Sequence, residues 1–382
     1  MSKNLGVYIH WPYCARICPY CDFNVFRDRG NLAEQRALKD AILADLGGQR
    51  ALTGPRDLVS IFLGGGTPSL MDPDWAGEVI AACRDLWTPT TDLEITLEAN
   101  PTDAEAGRFA AFAAAGVQRL SLGLQALDDD ALKMLGRNHD ATEGLRAAQT
   151  AANLFPRLSL DLIYARPGQT PGDWADELTT ALDLGAEHIS PYQLTIETGT
   201  AFHRAVRRGT LTPPGEDRGA DLYDVTQAVL SDAGFEAYEV SNHARNQAAR
   251  SAHNLVYWQG HDYVGAGPGA HGRLTYGGVR HATEAARRPS DYVAGVAARG
   301  VGFAAADGLS AEAVAQERLL SGLRITQGVG FAEVAALGLG PLDAEVVDLV
   351  AAGLLEPDPV RLRSTAAGRL VLNWLTGRLA AG

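Results

Sequence analysis

The chain has 382 residues, 46% of them hydrophobic, and a formal net charge of −13 from 46 acidic and 33 basic side chains. That apolar share supplies a core for one large domain with a smaller one beside it. The acidic excess, with no sustained basic run, argues against a nucleic-acid partner, whose phosphates call for clustered Lys and Arg. No apolar run approaches the ~20 residues of a membrane helix, so no integral membrane segment is expected.

The opening residues Met1-Ser2-Lys3-Asn4 lead straight into an apolar stretch, Leu5–His10, that reads as a strand, so no signal peptide is expected. Just beyond it stand three of the four cysteines, Cys14, Cys18 and Cys21, spaced C-x3-C-x2-C. Thiolates are soft, anionic ligands suited to iron–sulfur clusters or zinc. Zinc would want a fourth ligand, for which only His10 lies near. A disulfide would leave an odd thiol and would need an oxidising compartment. Three thiolates satisfy three irons of a four-iron cube and leave the fourth iron open. Cysteines clustered as ligands point to a reducing cytoplasm. Cys83, within a helical pattern, reads as packing.

From residue 5 to about 195, strand and helix patterns alternate, as in βα units around a parallel sheet. The strands expected after the first are Leu58–Leu63, Leu93–Glu98, Gln118–Leu122, Leu158–Ile163 and His188–Leu194. The helices are Ala33–Leu46, Pro73–Leu86, Asp103–Ala114, Asp128–Leu135 with Thr142–Ala152, and Pro171–Leu182. Six units give an α/β fold, an open, partial (β/α)6 barrel.

The C-terminal ends of these strands carry the polar and glycine residues, on the rim where the βα loops of such barrels open. The second strand ends in Gly64-Gly65-Gly66-Thr67-Pro68, which lacks the Lys-Ser/Thr of a phosphate loop and so excludes a nucleoside triphosphate. Beside the cysteines, those glycines read as backbone brought close to a ligand. The third strand ends in Glu98-Ala99-Asn100-Pro101, where Glu98 can bond ligand hydroxyls or an ammonium. The fourth ends in Gly123-Leu124-Gln125, and the fifth carries Asp161 before Arg166-Pro167-Gly168.

After residue 195 the pattern loosens, with a helix expected over Glu216–Ala233 and a strand over Phe235–Val240. Then come His253-Asn254-Leu255-Val256-Tyr257-Trp258 and a stretch from Gly265 to Gly272. The latter fits G-x-G-x-x-A, but Pro268 and the following His-Gly do not open a helix, as a dinucleotide site requires. It reads as a loop packed near the barrel mouth. From Ala305 onward helices are expected over Leu309–Leu323, Phe331–Ala336, Asp343–Ala352 and Thr365–Leu379. A hairpin is expected to pair Leu354–Glu356 with Val360–Arg363. The result is winged-helix-like, although the acidic balance argues against DNA. The division expected is a barrel over 1–240, a glycine-rich connecting segment over 241–304 and a small, mainly helical C-terminal domain over 305–382.

The cysteine spacing resembles the signature of the radical S-adenosylmethionine superfamily. In that chemistry the open iron chelates S-adenosylmethionine and passes it an electron, giving a 5′-deoxyadenosyl radical. The cysteine loop, Gly-Gly-Gly-Thr-Pro, Leu-Glu-Ala-Asn-Pro, Leu-Gly-Leu-Gln and Asp-Leu-Ile-Tyr-x-x-Pro-Gly-Gln-Thr follow in order. Together they resemble the oxygen-independent coproporphyrinogen III oxidase family of radical S-adenosylmethionine proteins, over nearly the whole chain. Two features match its heme chaperone branch: Phe23 stands where the oxidases have a further cysteine, and the His-Asn-x-x-Tyr-Trp motif is present.

The resemblance implies a 4Fe-4S cluster on Cys14, Cys18 and Cys21. It places S-adenosylmethionine among Tyr8, Tyr20, Gly65, Gly66, Thr67, Glu98, Gln125, Arg137 and Asp161, with Thr195 as a further contact. It also implies heme, and His253 is the expected contact to it, with His261 and His271 as rivals. The function implied is binding heme and delivering it to an acceptor protein such as a respiratory one. The alternative is an enzyme of porphyrin biosynthesis that oxidatively decarboxylates coproporphyrinogen III.

Overall fold

All six expected strands form in the computed structural model, which describes residues 3–381. Met1 and Ser2, which open the expected run into the first strand, lie outside the described residues. The strands are β1 (Asn4–Trp11), β2 (Asp57–Gly65), β3 (Thr88–Ala99), β4 (Arg119–Gln125), β5 (Arg157–Tyr164) and β6 (His188–Gln193). They pair in parallel in that order.

The crossovers include α1 (Leu32–Thr53), α2 (Pro73–Leu86), α3 (Ala141–Leu154) and α4 (Pro171–Leu182). The bounds of α2 and α4 are those the sequence predicts, because each starts with proline behind a capping side chain, Asp72 or Thr170. Helix α1 runs seven residues past its expected end, through Gly47-Gly48. A Cβ on Gly48 would stand 2.0 Å from the carbonyl oxygen of Gly300, so that glycine permits a close crossing rather than a helix stop. The expected helix Asp103–Ala114 divides into Asp103–Ala106 and Phe109–Ala114 on either side of Gly107, the weakest helix former in the stretch.

Side chains alternate along a strand, and this alternation builds the site. On β4, Leu120, Leu122 and Leu124 are fully buried in the main apolar core. Arg119, Ser121, Gly123 and Gln125 point the other way, into a cavity. The same division puts Leu160 and Leu162 of β5 in the core and Asp161 on the cavity wall.

The stretch 241–304, expected as a glycine-rich connection, carries regular structure instead. After α5 (Glu216–Asp232) and β7 (Glu236–Glu239), β8 (Asn242–Ala244) pairs antiparallel to β6. The His-Asn motif forms α6 (Ala252–Trp258), capped by Ser251. The chain then returns to β1: β9 (Asp262–Ala266) pairs parallel with it on the side away from β2. Antiparallel β10 (His271–Tyr276), β11 (Val279–Ala285) and β12 (Phe303–Gly308) follow. The sheet order is β12-β11-β10-β9-β1-β2-β3-β4-β5-β6-β8-β7, which does not close on itself.

Helices dominate the C-terminal residues, which bury Leu319, Leu349 and Leu375 in a core of their own. The expected helix Thr365–Leu379 splits into Ala366–Leu370 and Leu372–Ala381. The expected hairpin is short: a Leu355–Ser364 bridge forms and Glu356 N donates to the Arg363 carbonyl at 2.9 Å, while Arg361–Leu362 pairs with Val329–Gly330. Arg324 ties this part to the sheet through Glu239 at 2.6 Å, and Arg318 Nη1 donates to the Trp258 carbonyl at 2.8 Å. Among the described residues no helix is long and apolar enough to cross a membrane.

Candidate functional site

The segment after β1 is held by its backbone. Tyr13–Cys14 pairs in parallel with Phe26–Arg27. The amides of Gly66 and Thr67 donate to the carbonyls of Trp11 and Tyr13, at 2.8 and 2.9 Å. A Cβ on Gly66 would come within 2.7 Å of the Pro12 carbonyl carbon, and one on Gly65 (φ 107°) within 2.5 Å of the His10 ring. These glycines therefore seat the cysteine segment itself. Gly65 N also donates, to Glu98 Oε2 at 3.0 Å.

Cys14, Cys18 and Cys21 share one end of a cavity of about 430 Å³. Burial pushes the Cys14 and Cys21 thiols up to about 11, a cost that a bound metal cluster removes by taking the thiolates as ligands. Thr67 Oγ1 donates to Cys14 Sγ at 3.5 Å and Arg137 Nη1 to Cys18 Sγ at 3.5 Å. Asn100 joins the two: its Nδ2 donates to Thr67 Oγ1 at 3.1 Å, and its Oδ1 accepts from Arg137 Nη2 at 2.5 Å. His10 is no fourth ligand. Its Nδ1 pairs with Tyr8 Oη at 2.9 Å and its Nε2 with the Asn24 carbonyl at 2.8 Å. Among the described residues no three His, Cys, Asp or Glu side chains converge on a single ion. Three thiols without a fourth ligand fit a cluster that takes three better than a zinc ion that takes four.

Below the cysteines the walls are polar. Gln125 holds φ 66° where β4 slips register against β5, a conformation costly for a residue with a side chain. Tyr20 offers a flat ring, and burial pushes its phenol up. Asp161 accepts from Ser121 Oγ at 2.8 Å, while its Oδ1 and Arg137 Nε are buried without partners. Unmet groups of this kind, facing a cavity, suit a polar ligand such as S-adenosylmethionine. Glu98 is pushed up to about 7, chiefly by burial and then by Asp161.

Stability should follow that last shift. A carboxyl that holds its proton more tightly when folded penalises the fold above its folded pKa, and the penalty fades toward its unfolded value. Glu98→Gln should therefore stabilise ligand-free protein at pH 8 by on the order of 2 kcal/mol, given its contact with the cavity, and raise its melting temperature. The gain should vanish near pH 4.5. Melting curves from pH 4.5 to 8 check this, and a pH-independent difference would refute it.

The family model described as the radical SAM superfamily matches residues 8–181, and that of the HemN C-terminal domain matches residues 309–371. A mouse protein named radical S-adenosyl methionine domain-containing protein 1, mitochondrial, is 40% identical over 98% of this chain and 87% of its own length. Heme chaperone HemW of Mycobacterium tuberculosis is 37% identical over 97% and 93%. That of Bacillus subtilis is 34% identical over 97% and 98%. The chain belongs to the HemW-type radical SAM proteins. Its fold is also that of coproporphyrinogen III oxidase (HemN) from Escherichia coli, with a TM-score of 0.82 over 99% of this chain and 90% of that one, at 20% identity.

Most of the residues expected to serve this HemW-type site gather on one cavity: the three cysteines, Tyr20, Gly65, Gly66, Thr67, Glu98, Gln125, Arg137, Asp161 and Thr195. Tyr8 sits behind the wall, against His10 and Phe62. His253 lies apart from them. It is 2% exposed, its Nδ1 pairs with Ser60 Oγ at 3.0 Å, its Nε2 pairs with Tyr257 Oη at 2.7 Å, and it stacks on Phe62. Both nitrogens are engaged, and the ring lies off the cavity wall, where it supports α6. His261 and His271 are absent from the wall too, whereas Asn254 of the same motif lies on it. Sequence reasoning missed Asn100, Arg119, Ser121 and Asn254. The alternation Arg-Leu-Ser-Leu-Gly-Leu-Gln along β4 was the available signal for two of them.

Proposed function

We propose that this HemW-type protein binds heme and delivers it to an acceptor protein, carrying a 4Fe-4S cluster on Cys14, Cys18 and Cys21 with S-adenosylmethionine in the adjoining cavity. The observation that carries the reading is end-to-end likeness to proteins named heme chaperones. The cluster, when bound, supplies a reducing electron beside a sulfonium. The chain's own part is to hold it: Thr67 and Arg137 donate to thiol sulfurs, and Asn100 fixes both donors. Glu98, Gln125 and Asp161 offer polar contacts, and Tyr20 offers a face for a flat ring. Thiols held free for a cluster need a reducing compartment such as the cytoplasm. Phe23, 62% exposed at the cavity mouth, offers no sulfur where the oxidases carry one.

The test supplies cluster-reconstituted protein with heme and an apo-acceptor, and separately with coproporphyrinogen III, reductant and S-adenosylmethionine under anaerobic conditions. Stoichiometric heme binding and transfer, without protoporphyrinogen, is the expected result. Sustained protoporphyrinogen formation with no specific heme binding would replace this reading by the oxidase.

His253→Ala should act on stability and not on heme ligation. Removing a buried ring and leaving Ser60 and Tyr257 without their partner should cost on the order of 3 kcal/mol. The spectrum of bound heme should stay that of wild type. A lost axial-ligand band in folded variant would restore His253 as the ligand.

A further inference from the structure

Arg119 stands at the start of β4, 3% exposed, with its side chain on the wall of the cavity. Among the described residues its side chain makes no hydrogen bond or ion pair, and its Nε is buried without a partner. Its neighbour in register on β5 is Arg157, which pairs with Glu94 at 2.8 Å and Glu187 at 2.6 Å. Arg324 likewise takes the buried Glu239. The interior acids thus belong to other arginines. Of the two that remain near, Asp161 is bonded to Ser121, and Glu98 accepts from Gly65. Burial holds both carboxyls above their ordinary range in spite of Arg119. A buried guanidinium without a hydrogen-bonded anion is costly, and its planar fork matches a carboxylate.

We propose that Arg119 is a ligand-binding residue of this cavity that takes a carboxylate of the bound ligand. The register gives its depth: Ser121 lies level with Glu98, and Arg119 is one inward-facing position deeper, about 7 Å from Ser121 along the strand. The group that reaches it passes Glu98 and Asp161 on the way down. Asp161 Oδ1, unpartnered higher on the same wall and level with Gly123, sets an acceptor above the donor fork, so a ligand carrying both a carboxylate and a donor group satisfies both. Two ligands of the proposed function carry carboxylates, S-adenosylmethionine on its methionine end and heme on its propionates, so the assignment rests in part on that function.

The test titrates S-adenosylmethionine, heme and heme dimethyl ester into cluster-reconstituted wild type, Arg119→Gln and Arg119→Lys. If a propionate is the partner, wild type should prefer heme to its diester by on the order of tenfold or more, and Arg119→Gln should erase that preference with S-adenosylmethionine affinity unchanged. If the methionine carboxylate is the partner, S-adenosylmethionine should weaken by a similar factor and the heme-to-diester ratio should hold. Arg119→Lys, which keeps the charge without the fork, should fall between and serves alone should the glutamine variant not fold. Affinities within twofold of wild type for every ligand, in folded variants, would overturn the assignment. Wild type that binds no heme would remove the carrier function but leave the S-adenosylmethionine arm to decide Arg119.

Discussion

Protein with Cys14, Cys18 and Cys21 all changed to Ala should reconstitute with no iron or sulfide and no brown absorbance, while Cys83→Ala reconstitutes as wild type. The three thiols open on one cavity, whereas Cys83 is fully buried in the main core, where burial pushes its thiol up to about 12. No nearby side chain replaces a lost ligand, because both nitrogens of His10 are engaged. Iron and sulfide analysis of the anaerobically reconstituted proteins checks this. Wild type that takes up zinc but neither iron nor sulfide would show that the cysteines serve another metal.

Gly66→Val should also abolish cluster uptake, though it removes no ligand. Its Cβ would lie 2.7 Å from the Pro12 carbonyl carbon and 2.8 Å from the Tyr13 oxygen, both backbone atoms that cannot turn aside. The segment carrying Cys14 must move away from β2, at a cost of at least ~2 kcal/mol for the overpacking. The Gly66 and Thr67 amide bonds to Trp11 and Tyr13 should break as it does. S-adenosylmethionine binding should fall together with iron content. A variant with full iron and selectively lost S-adenosylmethionine binding would mean that the valine fills ligand space and leaves the segment in place.

The barrel was readable because its signals are local. Pro73 and Pro171 behind capping side chains mark helix starts, and apolar runs ending in glycine or acid mark strands and their rim. Most site residues followed, since rim positions come directly after such runs. What stayed hidden depends on tertiary approach. Gly265 reads as loop, yet it lies in β9 because His271 O would be 2.0 Å from a Cβ there. His253 reads as a ligand beside Tyr257 and Trp258, and only the fold shows Ser60 and Tyr257 closing on its two nitrogens. Arg119 was passed over because it opens a strand identified by its leucines, and an interior cation is invisible until the paired acids around it are known.

The pairing of β9 with β1 sets an order of assembly. Leu5 waits for Asp262, far later in the chain, before its outer edge is covered, and Asn24, just past the third cysteine, waits for the carbonyls of Pro268 and Arg287. Such distant contacts form late, since the chain between must first be closed into a loop. On a ribosome the cysteines and the β2 glycines that seat them emerge early, but the carbonyls that hold Asn24 arrive only with Pro268 and Arg287. A chain lacking β9 therefore leaves the outer edge of β1 open and Asn24, three residues past the third cysteine, without the carbonyls that hold it.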